Sequence, residues 1–373
     1  MTTTKTNSPF FRADIFNTLR AVAMLCVFTM HAHLVIVSYA PPGLHTPFFL
    51  HTPAWAAMWM LFGLSGFLIG AHFYKGKYDT PKQIRSFLVQ RFLRVGIPYF
   101  AFLLLGVLCI HFTSAISLKS TWIRILTFTY NGRPAVSGLG AMWFISTIMQ
   151  LYVVAPFMYH GIIKKLSAKS TQVFMFILLL AGLLLREVLK YTHADWYIWV
   201  YTFSPLQWDL FFVPFMAYTL PNPLTDSAKN KLKPLLLLAG CCILVICGKF
   251  LLLYRYEWPT VFTILMALLC WLYKDTLKNE KAPVRLSAHT IRCQPFCLLE
   301  GFALISYSFY LWHSVILTLL PSIIRQYHLT FSYWVYLAIT VGGGFVLCTL
   351  VAWGMWFFVE RPTDIWRKQL RAS

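Results

Sequence analysis

The feature that most constrains this chain is a series of long apolar stretches along its whole length. Ten can be read, at about 15–37, 54–74, 95–116, 142–162, 172–189, 198–220, 235–253, 258–273, 299–320 and 332–358. Each holds roughly 16–27 mainly apolar residues, which suits a hydrocarbon core ~30 Å thick. A spanning backbone must satisfy its own polar groups, and stretches this long do so as helices. The expected fold is therefore an all-α, polytopic transmembrane helical bundle of about ten spans. It reads as one domain over 1–373, with short tails at 1–14 and 359–373. Composition agrees: 58% of the residues are hydrophobic and only 12% charged, against ~25% charged in soluble domains. That excludes a soluble globular protein and a disordered chain. No cleavable signal-peptide pattern precedes the first stretch, which is expected to remain as an anchor.

The formal net charge of +20 invites a nucleic-acid reading, but the basic residues sort by loop. Alternate segments, both tails among them, carry 23 Lys and Arg, and the opposite segments carry 7 with Arg186, near the end of the fifth stretch, counted among them. Basic residues collect in cytoplasmic loops. Both termini are thus predicted to be cytoplasmic, with the bilayer as partner and no nucleic acid. The nine cysteines lie mostly in apolar stretches and imply no disulfide framework. His289, Cys293 and Cys297 stand at four-residue spacing. A fourth ligand is missing and Pro295 breaks the run, so no metal site is expected.

Ionisable groups inside spans are costly and mark function by default. Arg20 and His31 lie on one face of the first stretch, ~16 Å apart along the axis. An anionic group held at Arg20 with chemistry at His31 suits an elongated donor. His33 faces elsewhere. Arg85, Arg91 and Arg94 lead into the third stretch, and Arg91 and Arg94 are i,i+3 neighbours able to clamp phosphate oxygens. Positive-inside anchoring is the competing reading. Asp209 is an acid within the sixth stretch, open to a histidine, an arginine or a sugar hydroxyl. Lys249, in the seventh, is expected to snorkel. Trp143, Gln150 and Tyr152, with Tyr307, Tyr310 and His313, form stripes that either pack or line an acceptor site.

These residues resemble, in order, the acyltransferase family 3 of integral membrane acyltransferases. Asn17-Thr-Leu-Arg20 through His31 looks like the family's Leu-Arg-x10-His opening. Ser65-Gly66-Phe67-Leu resembles its second-span block, and Arg91-x-x-Arg94-x-x-x-Pro98-Tyr99 its basic entry to the third span. Trp143-Phe144 and Gln150-x-Tyr152-x-x-x-Pro156 match its fourth-span spacing. Ser306-Tyr307-Ser308-x-Tyr310-Leu-Trp312-His313 and the closing Glu360-Arg-Pro362 are similar to its last two motifs. Two positions depart. The acid common three residues before the arginine is Asn17, and a glutamate frequent in the fourth span is Ile148.

The resemblance implies transfer of an acetyl or other short acyl group from cytoplasmic acyl-CoA. The acceptor would be a hydroxyl of a cell-surface polysaccharide or its lipid-linked precursor. The site would be a bacterial cytoplasmic (inner) membrane, with no tightly bound cofactor and no appended esterase-like domain. His31 and Arg20 would be catalytic, and Arg91, Arg94 and Arg20 would bind acyl-CoA. Trp143, Gln150, Tyr152, Asp209, Tyr307, Tyr310, His313 and Glu360 would support or receive the acceptor, with Asp209 a conceivable substitute for the absent glutamate. His31 is expected to act as general base, with an acyl-histidine relay as a variant. A permease or flippase for a glycan or lipid intermediate is the alternative, using the same buried charges without chemistry.

Overall fold

The computed structural model describes residues 15–39, 47–111, 119–130, 138–192, 203–221, 228, 232, 258–275 and 297–372, and every regular element among them is helical. In chain order these are α1 (Ile15–Tyr39), α2 (Ala54–Tyr74), α3 (Pro81–His111), α4 (Lys119–Leu126), α5 (Met142–Gly161), α6 (Ala168–Thr192), α7 (Trp208–Ala217), α8 (Trp258–Leu272), α9 (Cys297–Gln326) and α10, continuous over 333–372. Seven of them are long and apolar enough to cross a membrane: α1, α2, α3, α5, α6, α9 and α10. The chain is a multi-pass helical membrane protein. Helix α8, at 15 residues, is shorter. The expected sixth stretch consists, in its described part, of the 3-10 turn Ser204–Gln207 and the ten-residue α7. The expected seventh, 235–253 with Lys249, lies outside the described residues, as do His289 and Cys293.

Two boundaries differ from the sequence reading. Helix α3 begins at Pro81 rather than near residue 95. Gly76, at φ +70°, turns the chain out of α2. Gln83 Oε1 then accepts from the Asp79 and Thr80 amides, and Thr80 Oγ1 accepts from the Gln83 amide. That is a capping box followed by proline at the first helical position. Arg85, Arg91 and Arg94 therefore ride on the helix itself and not on a loop leading to it. Helix α10 continues past residue 358 through a π-helical turn at Trp356–Glu360 into Arg361–Ala372. The segment expected as a tail is helical there, with an Asp364–Arg367 pair at 2.9 Å on its surface.

Lipid supplies no hydrophobic drive between helices, so close approach of small residues has to. Gly66 and Gly70 of α2 show this. A Cβ at Gly66 would stand 2.0 Å from the Phe211 carbonyl oxygen, and one at Gly70 would stand 2.3 Å from that of Phe215. Backbones of α2 and α7 thus touch, which gives the Ser-Gly-Phe-Leu block a packing reason.

Paired contacts set the helix directions. Helix α1 runs parallel to α9 (Phe28 on Phe309, His31 on His313), and α3 runs parallel to α9 (Val95 at Tyr307, Phe102 on Trp312). Helix α2 is parallel to α7 and to α8, the latter through Trp59 on Phe262 and Gly63 on Met266. Helices α9 and α10 are antiparallel, with Leu317 against Gly344 and Ser308 against Glu360.

Candidate active site

The strongest chemical feature lies where α1 meets α9. His313, fully buried on α9, places Nδ1 2.5 Å from the Tyr310 carbonyl oxygen. A carbonyl only accepts, so in the neutral ring Nδ1 carries the hydrogen and Nε2 the lone pair. His31 Nδ1 lies 3.0 Å from the Val27 carbonyl oxygen and 3.0 Å from His313 Nε2. Both partners accept, so His31 Nδ1–H is shared between them. His31 Nε2 is left holding a lone pair in a half-buried ring. The two rings are tilted at 51°, centroids 4.8 Å apart. The result is a directed chain, from His31 through His313 to a backbone oxygen, that fixes which nitrogen of His31 is basic.

Other elements hold this pair. Phe28 packs on Phe309 and Phe345, one turn before His31. The Tyr310 hydroxyl donates to the Ala141 carbonyl at the start of α5, and its ring rests on Phe144 and beside His313. Trp143 is buried against Phe62 and Phe144, which is packing rather than an open platform. His33 turns away, its ring 4.2 Å from that of His51. Thr52 donates to the Cys26 carbonyl at 2.5 Å and bonds Thr29 at 2.7 Å, tying the segment before α2 to α1.

Cations gather toward the opposite end of the bundle, Arg20 on α1 and Arg91 and Arg94 on α3. Arg20 donates to Asn17 Oδ1 at 3.1 Å, so the position that holds an acid in the resembled family still supplies an acceptor, but a neutral one. The Arg91 guanidinium stands 5.3 Å from the Phe87 ring centre and 5.5 Å from that of Tyr152, a geometry favourable to cation–π attraction. Arg94, one turn on, is exposed. Glu360 accepts from the Ser308 hydroxyl and has Arg94 as a charged neighbour. The Tyr307 hydroxyl donates to the Val95 carbonyl at 2.7 Å, beside the stretch where Pro98 cannot supply a helical donor. Gln150 Nε2 donates to the Phe128 carbonyl at 2.8 Å, serving a residue at φ 55°.

Asp209 is not at an open site. It forms a 2.5 Å ion pair with Arg186, side chains 1% and 0% exposed. Arg186 also donates to the Leu206 carbonyl at 2.7 Å and to Thr260 Oγ1 at 3.1 Å. Of the three partners open to Asp209 in sequence, the arginine is the one present. The carboxylate is buried, with Oδ1 on Arg186 and Oδ2 without a hydrogen-bond partner among the described residues. The sequence reading named Arg20 and Lys249 as cations within spans and missed Arg186. The signal was its place inside the fifth stretch, 172–189. Ile148, at the family's glutamate position, is buried in the hydrophobic core. Among the described residues no group of three or more His, Cys, Asp or Glu could hold a metal ion.

Comparison with known proteins agrees with these motifs at the level of family. Neither the curated proteins nor the solved structures yield a match to this chain. A family model described as an acyltransferase domain, that of acyltransferase family 3, matches residues 14–353, from the start of α1 to within α10. The match takes in both histidines and the basic face of α3, and the chain belongs to the acyltransferase family 3 of membrane acyltransferases.

Proposed function

We propose that this membrane acyltransferase moves an acetyl or other short acyl group from acyl-CoA to a hydroxyl of a surface glycan or its lipid-linked precursor. The observation that carries the reading is the His31–His313 pair, with a basic Nε2 at its free end and cations on α1 and the parallel α3 toward the other end.

The chemistry follows from the proton positions. His31 Nε2 takes the proton from the acceptor hydroxyl as that oxygen attacks the thioester carbonyl. The positive charge gained is spread through the Nδ1–H bond to His313 Nε2. The tetrahedral intermediate then breaks its C–S bond, and the CoA sulfur receives the proton back from His31 Nε2. Ester and free thiol leave, and the histidine returns to its starting form. General-base assistance of this kind contributes ~10²–10⁴-fold. Arg91 and Arg94 hold donor phosphates, and Arg20 steadies the pantetheine arm on the way to His31.

The topology is part of the proposal: ten spans, both termini cytoplasmic, in a bacterial inner membrane. Helix directions support the alternation. Spans one, three and nine are mutually parallel, as are two, six and eight, and nine and ten oppose each other. Helices α7 and α8 run the same way, which is the direction the ten-span frame gives its sixth and eighth spans. Reporters fused at residues 45 and 373 should then read opposite sides.

The direct test is purified protein with short acyl-CoAs, following release of the CoA thiol and transfer to a soluble glycan. Release and transfer are expected. Movement of a labelled glycan across vesicles with no thiol release from any acyl-CoA would replace this reading with the permease.

A further inference from the structure

Of the seven helices able to cross a membrane, α2 is the most buried. From Ala56 to Phe73 every residue is buried except Leu61, Ser65, Leu68 and His72. Spacings of four, three and four residues keep these within an arc of about 60°. The stripe stands about 150° round the helix from Gly66 and Gly70, whose side is closed by the Phe211 and Phe215 carbonyls of α7. Its flanks are closed too. Phe67 packs on Phe16 of α1 at 5.7 Å, and Phe62 on Phe144 of α5 at 4.8 Å. Helices α1 and α5 both reach α9, through Phe28 on Phe309 and Phe144 on Tyr310, each at 5.5 Å. At the His72 end α3 joins this ring, with Phe87 5.3 Å from Phe73 and Arg91 5.5 Å from Tyr152. The half-buried stripe therefore opens into the middle of the bundle rather than onto lipid.

The chemistry of the stripe is mixed and uncharged. His72 donates from Nδ1 to the Leu68 carbonyl at 2.7 Å, which leaves Nε2 of the neutral ring as an acceptor. Thr29, Thr318 and Ser322 return their hydroxyls to the carbonyl four residues back. Ser65 makes no hydrogen bond among the described residues, so its hydroxyl is open both to donate and to accept. Leu61 and Leu68 add apolar surface on either side of it. Two leucines, a hydroxyl and a ring acceptor suit an aromatic base and its sugar better than a phosphate. Depth points the same way. Thr52 bonds Thr29 at 2.7 Å while Phe67 packs on Phe16, so α2 runs antiparallel to α1. Ser65 comes level with the first turn of α1, just past Arg20 and ~20 Å along the axis from His31. A donor with its thioester at His31 and its arm passing Arg20 carries its nucleotide on to this depth.

We propose that Leu61, Ser65, Leu68 and His72 seat the adenosine of the donor, a subsite that rests on the acyl-CoA reading. The leucines cover the base, and the Ser65 hydroxyl and His72 Nε2 bond its polar edge and the ribose. The subsite selects a free coenzyme A thioester over a pantetheine thioester carried on a protein, because a carrier has no adenosine to offer.

The test uses the purified full chain carrying Ser65→Cys, a nearly isosteric change, and a water-soluble methanethiosulfonate reagent, with wild type setting the background from native cysteines. Labelling above background is expected, and CoA should slow it severalfold or more while 4′-phosphopantetheine does not. Absence of labelling puts the stripe on lipid and overturns the subsite. So does labelling that CoA leaves unchanged, or that 4′-phosphopantetheine slows as much. Kinetics reads the same subsite: wild type should show a KM for acetyl-CoA lower by roughly 10-fold or more than for acetyl-4′-phosphopantetheine. Ser65→Leu should shrink that ratio severalfold by raising KM for acetyl-CoA alone. Equal KM values in wild type overturn the subsite, as does an equal rise for both donors in the variant. CoA-protected labelling on a protein that transfers nothing would keep the subsite and sink the transferase mechanism, whereas active transfer with labelling indifferent to CoA would do the reverse.

Discussion

The His31–His313 pair and the Arg186–Asp209 pair both join helices through polar side chains in an apolar interior, yet they are finished differently. In the second, opposite charges meet at 2.5 Å with both side chains out of solvent. Gly182 lets the groups approach: a Cβ there would stand 2.7 Å from Asp209 Oδ2 and 3.2 Å from an Arg186 nitrogen. The pair is buried and ties α6 to the turn before α7, to α7 and to α8. On α6 the buried residues are Thr171, Gly182 and Arg186, so most of that helix faces outward. In the first pair two titratable rings meet without opposite charge, each anchored by a backbone carbonyl, and one ring nitrogen is left with its lone pair. What the ion pair leaves over, Arg186 Nε and Asp209 Oδ2, is buried. What the histidine pair leaves over is a lone pair on a half-buried ring.

That contrast can be broken most forcefully at Asp209. Asp209→Ala leaves Arg186 as an uncompensated buried charge, a change that costs ~3–5 kcal/mol. The yield of monodisperse protein and its melting temperature should both drop. Replacing the two together, Arg186→Met with Asp209→Leu, should restore much of the fold, because buried ion pairs are often no better than apolar packing. A normally folded Asp209→Ala protein that has lost only transfer would place Asp209 in the active site and erase the distinction.

His313 comes next. His313→Ala should lower kcat by ~10²-fold with little change in KM for the donor, since the base remains but its Nδ1–H loses the acceptor that spreads charge. His313→Gln, with an oxygen able to accept that bond, should recover part of the rate. Equal losses in both variants, with a lowered melting temperature, would make His313 a packing residue. Arg94→Ala should act on the other parameter, raising donor KM roughly 10-fold or more while kcat holds, as loss of a charge-assisted contact does. Normal donor binding in that variant would reduce Arg94 to a topology anchor. The smallest effect is expected at His33, whose ring meets that of His51 edge-on. His33→Ala should transfer at close to the wild-type rate, and a dead variant would shift attention to the His33–His51 contact.

Much of the frame was legible because apolar length is a strong signal. Helix α2 occupies the expected 54–74, and α5 and α9 lie close to their expected stretches. The start of α3 was harder. Six basic residues between 75 and 94 mask a helix whose beginning was written in Thr80-Pro81-Lys82-Gln83. Arg186 was missed for the converse reason: near a span end an arginine is read as a loop cation, and only packing shows it turned inward. The meeting of His31 and His313 spans 282 residues. Periodicity placed His31 on one face of α1, but no spacing rule connects it to α9. The tautomers depended on carbonyls one turn away, which only coordinates supply.

The central claim is that His31 Nε2 is the base. Its most direct test is His31→Ala in purified protein, with acetyl transfer, acetyl-CoA binding and melting temperature measured on the same preparation. Transfer should fall to background, while binding and melting stay near wild type. A His31→Ala protein that transfers at a near wild-type rate, alongside an inactive but folded His313→Ala protein, would contradict the account and move the base to α9.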